Sequence, residues 1–371
     1  MEVNSQEKKF NSKLNLNKIN DLKTSKQPRN YGIDLLKYIA MINIINLHIN
    51  MHTSYDKLRP NNPKYKPIYR LESFSFWPVN AFGLISGIVG YKKYKFTNVI
   101  YIWFQYCFYS VTFTIYLYYK SLANVNNIFL SFLPFGNRRN WYVNAYILMY
   151  LFLPFMTNSI NTLDKRFYSK IVLYFFFIYS IYHVFIKFIT KKGNHDFIIG
   201  GYSSLWLLIL YISGGCIARF YINRYIISDA VLILIYFIAS FLTSEYIFYK
   251  GSTLFLEYIS PTIVIQALSL VLFFANLKIK NKIIIKVILF FVPLNFSVNI
   301  IHTRIFLMNI PLRNKFFKYI ESLKPQFLFF KIYTISIIIY FICITIDYIR
   351  LLLFKILRIR KLSNFIEKII I

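Results

Sequence analysis

Acidic side chains are what this sequence has least of. Of 371 residues only 14 are Asp or Glu, against 44 Lys or Arg, and charged residues of either sign reach only 16%. A soluble domain ordinarily carries roughly 25%, so there is too little polar side chain to cover a water-exposed surface of this size. That excludes a cytosolic enzyme and a disordered chain. Cysteine is scarce as well: Cys107, Cys216 and Cys343 stand singly within apolar stretches. Without paired spacing they support neither a disulfide framework nor a thiolate metal site. The chain also lacks GxGxxG, Walker and GxSxG motifs, and no internal repeat is visible.

What is abundant is apolar surface. Hydrophobic residues make up 57% of the chain and aromatic ones 20%, enough to supply the roughly 200 positions that ten bilayer-spanning helices require. The formal net charge of +30 is spread over short segments between apolar runs. No separate domain is large enough to dock a duplex, so the expected partners are membrane lipids and phosphate-bearing small molecules, with no nucleic acid.

Residues 1–28 are polar and Lys-rich and read as a disordered basic cytoplasmic tail, without the apolar core of a secretory signal. Residues 29–355 form the membrane domain, and 356–371 a basic cytoplasmic C-terminal segment. Apolar runs occupy about 33–52, 74–91, 99–118, 141–160, 171–189, 204–221, 229–247, 253–274, 286–308 and 327–351. The expected fold is therefore all-α: a polytopic bundle of about ten transmembrane helices. Lys and Arg outnumber slightly on one side of these runs, at Lys92/Lys93/Lys95, Lys165/Arg166, Lys278/Lys280 and Arg358/Arg360. The positive-inside rule then puts both termini in the cytoplasm.

Ionisable residues at bilayer depth cost about 2.5–3.5 kcal/mol each on insertion scales, so each one needs a reason. The first run carries Asp34, Lys37, Asn43, Asn46, His48 and Asn50. Lys37 and His48 are eleven positions apart, which leaves them only about 20° apart around a helix and about 16 Å apart along it. The ninth run sets Asn295, Asn299 and His302 on one face by i+4 and i+3 spacing. The expected depths of His48 and His302 are similar, so two imidazoles on two helices can share one pocket, where a neutral ring serves as general base. Glu257, inside the eighth run, is a candidate to orient a histidine or carry a proton.

A bland role stands beside each of these. A buried His is often a hydrogen-bonded packing residue, Lys37 can snorkel to headgroups, and the asparagines can simply join helices. Lys92, Lys93 and Lys95 fit either a phosphate grip or an ordinary positive-inside anchor. His48, His52 and Asp56 have helical spacing, but the helix is expected to end near His52, so no metal site is expected.

Several segments together resemble the integral membrane acyltransferases of type 3, which O-acylate bacterial surface sugars. RNYGIDLLKYIAMINIINLH looks like that family's first helix, with His48 at the position of the family histidine and Lys37 where the family has Arg. Lys keeps the charge but loses the planar bidentate fork. VNAFGLISG, NWYVNAYILMYLFLPF (with Trp141), EYISPTIVIQA and FSVNIIHT resemble later family segments in the same order, over roughly residues 29–350.

The resemblance implies a multi-pass enzyme of the bacterial plasma membrane. Such an enzyme moves an acetyl or related acyl group from cytoplasmic acetyl-CoA, or another acyl-CoA, to a hydroxyl of a sugar or polysaccharide. His48 and His302 are then the catalytic candidates, and Lys37, Lys92, Lys93 and Lys95 the donor-binding ones. Asn299, Trp141 and Glu257 would position substrate, and no metal takes part. The rival reading is a transporter or flippase for a lipid-linked sugar or small solute, which also needs many helices around a few buried polar groups.

Overall fold

A computed structural model of the chain describes residues 29–54, 60–91, 95–133, 141–190, 199–222, 227–304 and 310–370. The tail at 1–28 and the pair Lys92/Lys93 lie outside these residues, as do Asp56 and the side chain of His52.

Among the described residues the structure is all-helical. In chain order the helices are α1 (Tyr31–Ser54), α2 (Tyr65–Ser75), α3 (Pro78–Gly90), α4 (Phe96–Tyr119), α5 (Val125–Ser131), α6 (Trp141–Thr162), α7 (Lys165–Phe176) and α8 (His183–Thr190). There follow α9 (Ser204–Phe220), α10 (Asp229–Lys250), α11 (Pro261–Asn276), α12 (Lys282–Phe291), α13 (Asn295–His302), α14 (Ile310–Ser322), α15 (Pro325–Ile356) and α16 (Ile359–Ile370). Every apolar run of the sequence is helical over most of its length. Among the described residues six helical stretches are long and apolar enough to cross a membrane, or seven if the pair α12–α13, bent by 44°, is one span. The rest have identifiable shortfalls. Helices α9 and α11 have 17 and 16 residues, below the ~20 of a full crossing, and α4 interrupts its apolar surface with Thr97, Gln105, Ser110 and Thr114.

Two breaks shape the bundle. The second apolar run, expected from residue 74, begins at Tyr65. Helix α2 carries Lys66, Arg70 and Glu72 among its apolar residues, and these charges mask the start of the run in the sequence. The run continues into α3 after a break at Phe76–Trp77, where Pro78 at the first helical turn has no N–H to give to an α-helical bond. Asn80 ties this break down: its Nδ2 donates to the Tyr258 carbonyl at 2.7 Å, and its Oδ1 accepts from Trp206 Nε1 at 2.9 Å. The second break, Val292–Leu294, contains Pro293 and separates α12 from α13.

Helix α1 is the hub and packs against α2, α3, α11, α13, α14 and α15. Its asparagines hold neighbours: Asn43 Oδ1 accepts from Tyr333 at 2.7 Å, and Asn46 Oδ1 accepts from Ser336. Helices α3 and α9 cross closely because glycine leaves room for backbone contact. A Cβ on Gly87 would lie 2.0 Å from the Tyr211 carbonyl oxygen, and one on Gly214 would lie 2.0 Å from that of Leu84.

Candidate functional site

The two histidines of the first and ninth runs meet. His48 Nδ1 lies 2.7 Å from His302 Nε2, with ring centroids 4.9 Å apart. The side chain of Asn295 explains the register. Asn295 Nδ2 donates to the Lys37 carbonyl at 3.1 Å, and Asn295 Oδ1 accepts from Tyr340 at 3.2 Å. With that anchor, α1 and α13 run side by side in one direction, and His302 arrives next to His48.

The hydrogen bonds assign the tautomers of the neutral pair. His302 Nδ1 faces the Val298 carbonyl at 2.6 Å. A carbonyl only accepts, so Nδ1 carries the proton and Nε2 keeps a lone pair. His48 Nδ1–H then donates to that lone pair, and the lone pair of His48 is on Nε2. His302 is buried at 1% exposure, so its ring is held by both nitrogens and acts as a fixed acceptor that sets the orientation of His48. Asn299, one turn before His302, is also buried.

Lys37 sits in a different setting. Its Nζ donates to Asp34 Oδ1 at 2.9 Å, while Arg29 Nε donates to Asp34 Oδ2 at 2.6 Å. The carboxylate is shared by two cations, and the trio keeps one net positive charge. Beside it lies a cavity of about 590 Å³ lined by Lys37, Ser86, Tyr142, Tyr146, Tyr150 and Arg360 among others. The three tyrosines recur every fourth residue along α6, so their rings form one wall. From Leu153 to Tyr142 the cavity follows α6 for about 16 Å. Neither histidine is among its lining residues. Phe296, which is, lies about 9 Å before His302 along α13.

Arg360 brings the C-terminal helix into this wall. Its Nη2 donates to Asn98 Oδ1 at 2.8 Å, and its guanidinium lies 5.3 Å from the Tyr101 ring centre. Helix α16 is held on α4 by Glu367, whose carboxylate accepts the Thr97 amide at 3.0 Å and the Thr97 hydroxyl. These bonds from Thr97 hold the Glu367 carboxyl below the usual carboxylate range, since they favour its charged form. Lys95, the remaining described member of the lysine cluster, is exposed at the start of α4. Its carbonyl accepts from Tyr150 at 3.2 Å.

The other expected residues are placed elsewhere. Trp141 joins an aromatic cluster, 4.7 Å from Tyr202 and 5.7 Å from Tyr258 between ring centres. Glu257 accepts from Lys187 at 2.6 Å and faces His183 at 3.7 Å, so the histidine beside it is His183. Among the described residues no group of three His, Cys, Asp or Glu could hold a metal.

Some polar residues of the cavity and the interior carry no clear signal in the sequence. Arg360, an exposed residue that lines the cavity, is hidden because a cation after an apolar run reads as an anchor. Glu72, buried at 1% exposure, is hidden because its helix is too polar to read as a span. Arg350 lies at the end of an apolar run, yet it is fully buried. It grips Asp347 through Nε at 2.8 Å and Nη2 at 2.6 Å, with Tyr109 donating to the same carboxylate at 2.6 Å. Arg304 is buried as well and donates to Tyr106 and Ser110 at 3.0 Å each. No family model, curated protein or solved structure matches this chain.

Proposed function

We propose that the protein is a membrane O-acyltransferase of the bacterial plasma membrane, built as about ten transmembrane helices with both termini in the cytoplasm. It transfers an acetyl or related acyl group from acyl-CoA to a hydroxyl of a sugar. The observation that carries this reading is the histidine pair, because one imidazole holding another by a defined tautomer is the arrangement of an oriented base. His48 Nε2 takes the proton of the acceptor hydroxyl while the oxygen attacks the thioester carbonyl. The C–S bond then breaks, CoA leaves as its thiolate, and the proton on His48 neutralises it. His302 positions His48 and touches no substrate.

The cavity beside Lys37 and Arg360 supports a donor site at the cytoplasmic end. Its tyrosine wall suits the adenine ring, and the two cations suit the phosphates. Because Lys37 is shared with Asp34, Arg360 supplies the less compromised charge. The thioester arm has to reach past Phe296 to the histidine pair.

The test is acyl transfer by purified protein from labelled acetyl-CoA to surface glycan. His48→Ala should lower turnover by about 10²–10⁴-fold, the range of a positioned general base, with donor affinity unchanged. Undiminished turnover would eliminate the assignment. Lys37→Met should weaken acetyl-CoA binding, and Lys37→Arg should preserve it. A transporter is the second reading, favoured by the bent helix pair α12–α13, since discontinuous helices frame many transport sites. Counterflow of a sugar substrate by protein that releases no CoA would select it.

A further inference from the structure

A second site, independent of acyl transfer, lies on the opposite flank of α3. Helix α7 leans on α9, where Tyr168 donates to the Ile212 carbonyl at 2.6 Å, and α10 packs on α11. Between these two pairs runs a groove of about 380 Å³, floored by α9 and Leu84. Its size is that of a small-molecule site, which typically has ~300–1,000 Å³. Leu173 on its rim is 66% exposed, so the groove opens sideways, toward what surrounds the bundle rather than into it.

Its polarity is graded along the bundle. At one end are Ser169, Tyr221 and Asn276; toward the other the lining becomes Phe176, Leu268 and Val264. The polar residues lie at the start of α7, just past the end of α9 and at the end of α11, so three chain ends meet on one face. From Asn276 to Val264 the groove follows α11 for about 18 Å. A hydrocarbon core is ~30 Å thick, so the groove descends through roughly one leaflet and stops near the middle.

The polar end also carries charge of both signs. The Lys165 ammonium lies 5.0 Å from the Tyr221 ring centre, and the Tyr221 hydroxyl pairs with Ser169 Oγ at 3.0 Å. Arg219 is committed to the carbonyls of Ile160 and Leu163. Two carboxylates share this end: Asp164 caps α7 by accepting the Phe167 amide at 3.0 Å, and Asp229 accepts from Asn276 at 3.4 Å, neutral donors that leave both charges in place. What the groove offers is an apolar slot one leaflet deep, headed by two hydroxyls and an ammonium.

We propose that this groove binds one anionic phospholipid, its acyl chain between α7 and α11 and its phosphate at Lys165, Ser169 and Tyr221. The chain is already in hydrocarbon, so the slot holds it by van der Waals packing alone, and the phosphate contacts at Lys165, Ser169 and Tyr221 supply the preference for this lipid. The bound lipid fills the gap that α7 leaves and holds that helix against the bundle.

The experiment uses the full chain in nanodiscs of phosphatidylcholine and phosphatidylglycerol in equal amounts, released for native mass spectrometry. The wild type should retain one phosphatidylglycerol, about fivefold over phosphatidylcholine, equivalent to the ~1 kcal/mol of one lysine at an anionic surface. Leu268→Trp, which fills the slot, should lose that lipid. Lys165→Gln should keep a lipid but bind both headgroups equally. Should Leu268→Trp not fold, Leu173→Trp at the exposed rim gives the same reading with less disturbance of packing. Equal retention of the two lipids by the wild type, or the same retained lipid in the folded tryptophan variant, overturns the proposal.

Discussion

Helix α1 and the stretch α7–α8 are both apolar enough to cross a membrane, yet they occupy opposite positions. The most apolar part of the first has a mean hydropathy of 1.3 and is 72% buried; that of the second has 1.8 and is 11% buried. The less hydrophobic helix is in the centre. In water the order would be reversed, but a lipid chain is as apolar as leucine, so apolarity drives no helix inward. Polar groups do, because hydrocarbon offers them no partner. Asn43, Asn46 and His48 find Tyr333, Ser336 and His302 only inside the bundle. Along α7–α8 the exposed residues include Leu173, Ile178, Ile181 and Phe185, none of which needs a protein partner.

This contrast can be broken in steps. The largest effect is expected at the buried ion pair. Arg350→Leu leaves the Asp347 carboxylate buried without its guanidinium and should lower stability by about 3–5 kcal/mol, read as a fall in melting temperature in detergent. Adding Asp347→Leu should restore most of it, and a double variant as unstable as the single one would show that the charge is not the cause. A smaller loss, about 0.6 kcal/mol with a ceiling near 1.7, is expected for Asn43→Leu, the scale of an interhelical hydrogen bond in a membrane. Phe185→Ala on α8, 57% exposed, should change stability by less than about 0.5 kcal/mol. If it destabilises more than Asn43→Leu, polarity is not what sorts these helices.

The C-terminal helix gives a prediction in pH. Glu367 has a folded-state carboxyl below its ordinary value, so the docked helix favours the charged form. Its contribution is complete above the ordinary carboxylate range and is lost as pH falls through the depressed value. Protease cleavage between α15 and α16 should therefore accelerate on acidification through that window, and in Glu367→Gln the rate should be already high and flat with pH.

Much of the bundle was legible from residue type alone. The apolar runs are helical over most of their described length, though six or seven of the helical stretches rather than ten are long and apolar enough to cross a membrane, and the angular agreement of Lys37 with His48 follows from helix geometry. The pairing of His48 with His302 was legible only as a shared depth. The distance between them depends on Asn295 finding the Lys37 carbonyl, a contact that no spacing announces. Glu257 shows the same limit. The residues it faces, His183 at 3.7 Å and Lys187 at 2.6 Å, lie some 70 positions before it and are set by packing. Lys37 has the expected cation, half-neutralised by an Asp34 only three positions away, a pairing open to view in the sequence at i, i+3.

Composition and periodicity by themselves determined that this chain is helical and that several of its helices are long and apolar enough to cross a membrane. They also determined which residues would be costly in a membrane. Only the tertiary structure decided how each cost is met: which imidazole faces which, that a guanidinium from the last helix lines the cavity beside Lys37, and which helix is left at the rim. The reason is that hydrophobic burial has no direction, whereas hydrogen bonds do. Partners far apart in the chain are therefore selected by three-dimensional packing, which a one-dimensional pattern does not contain.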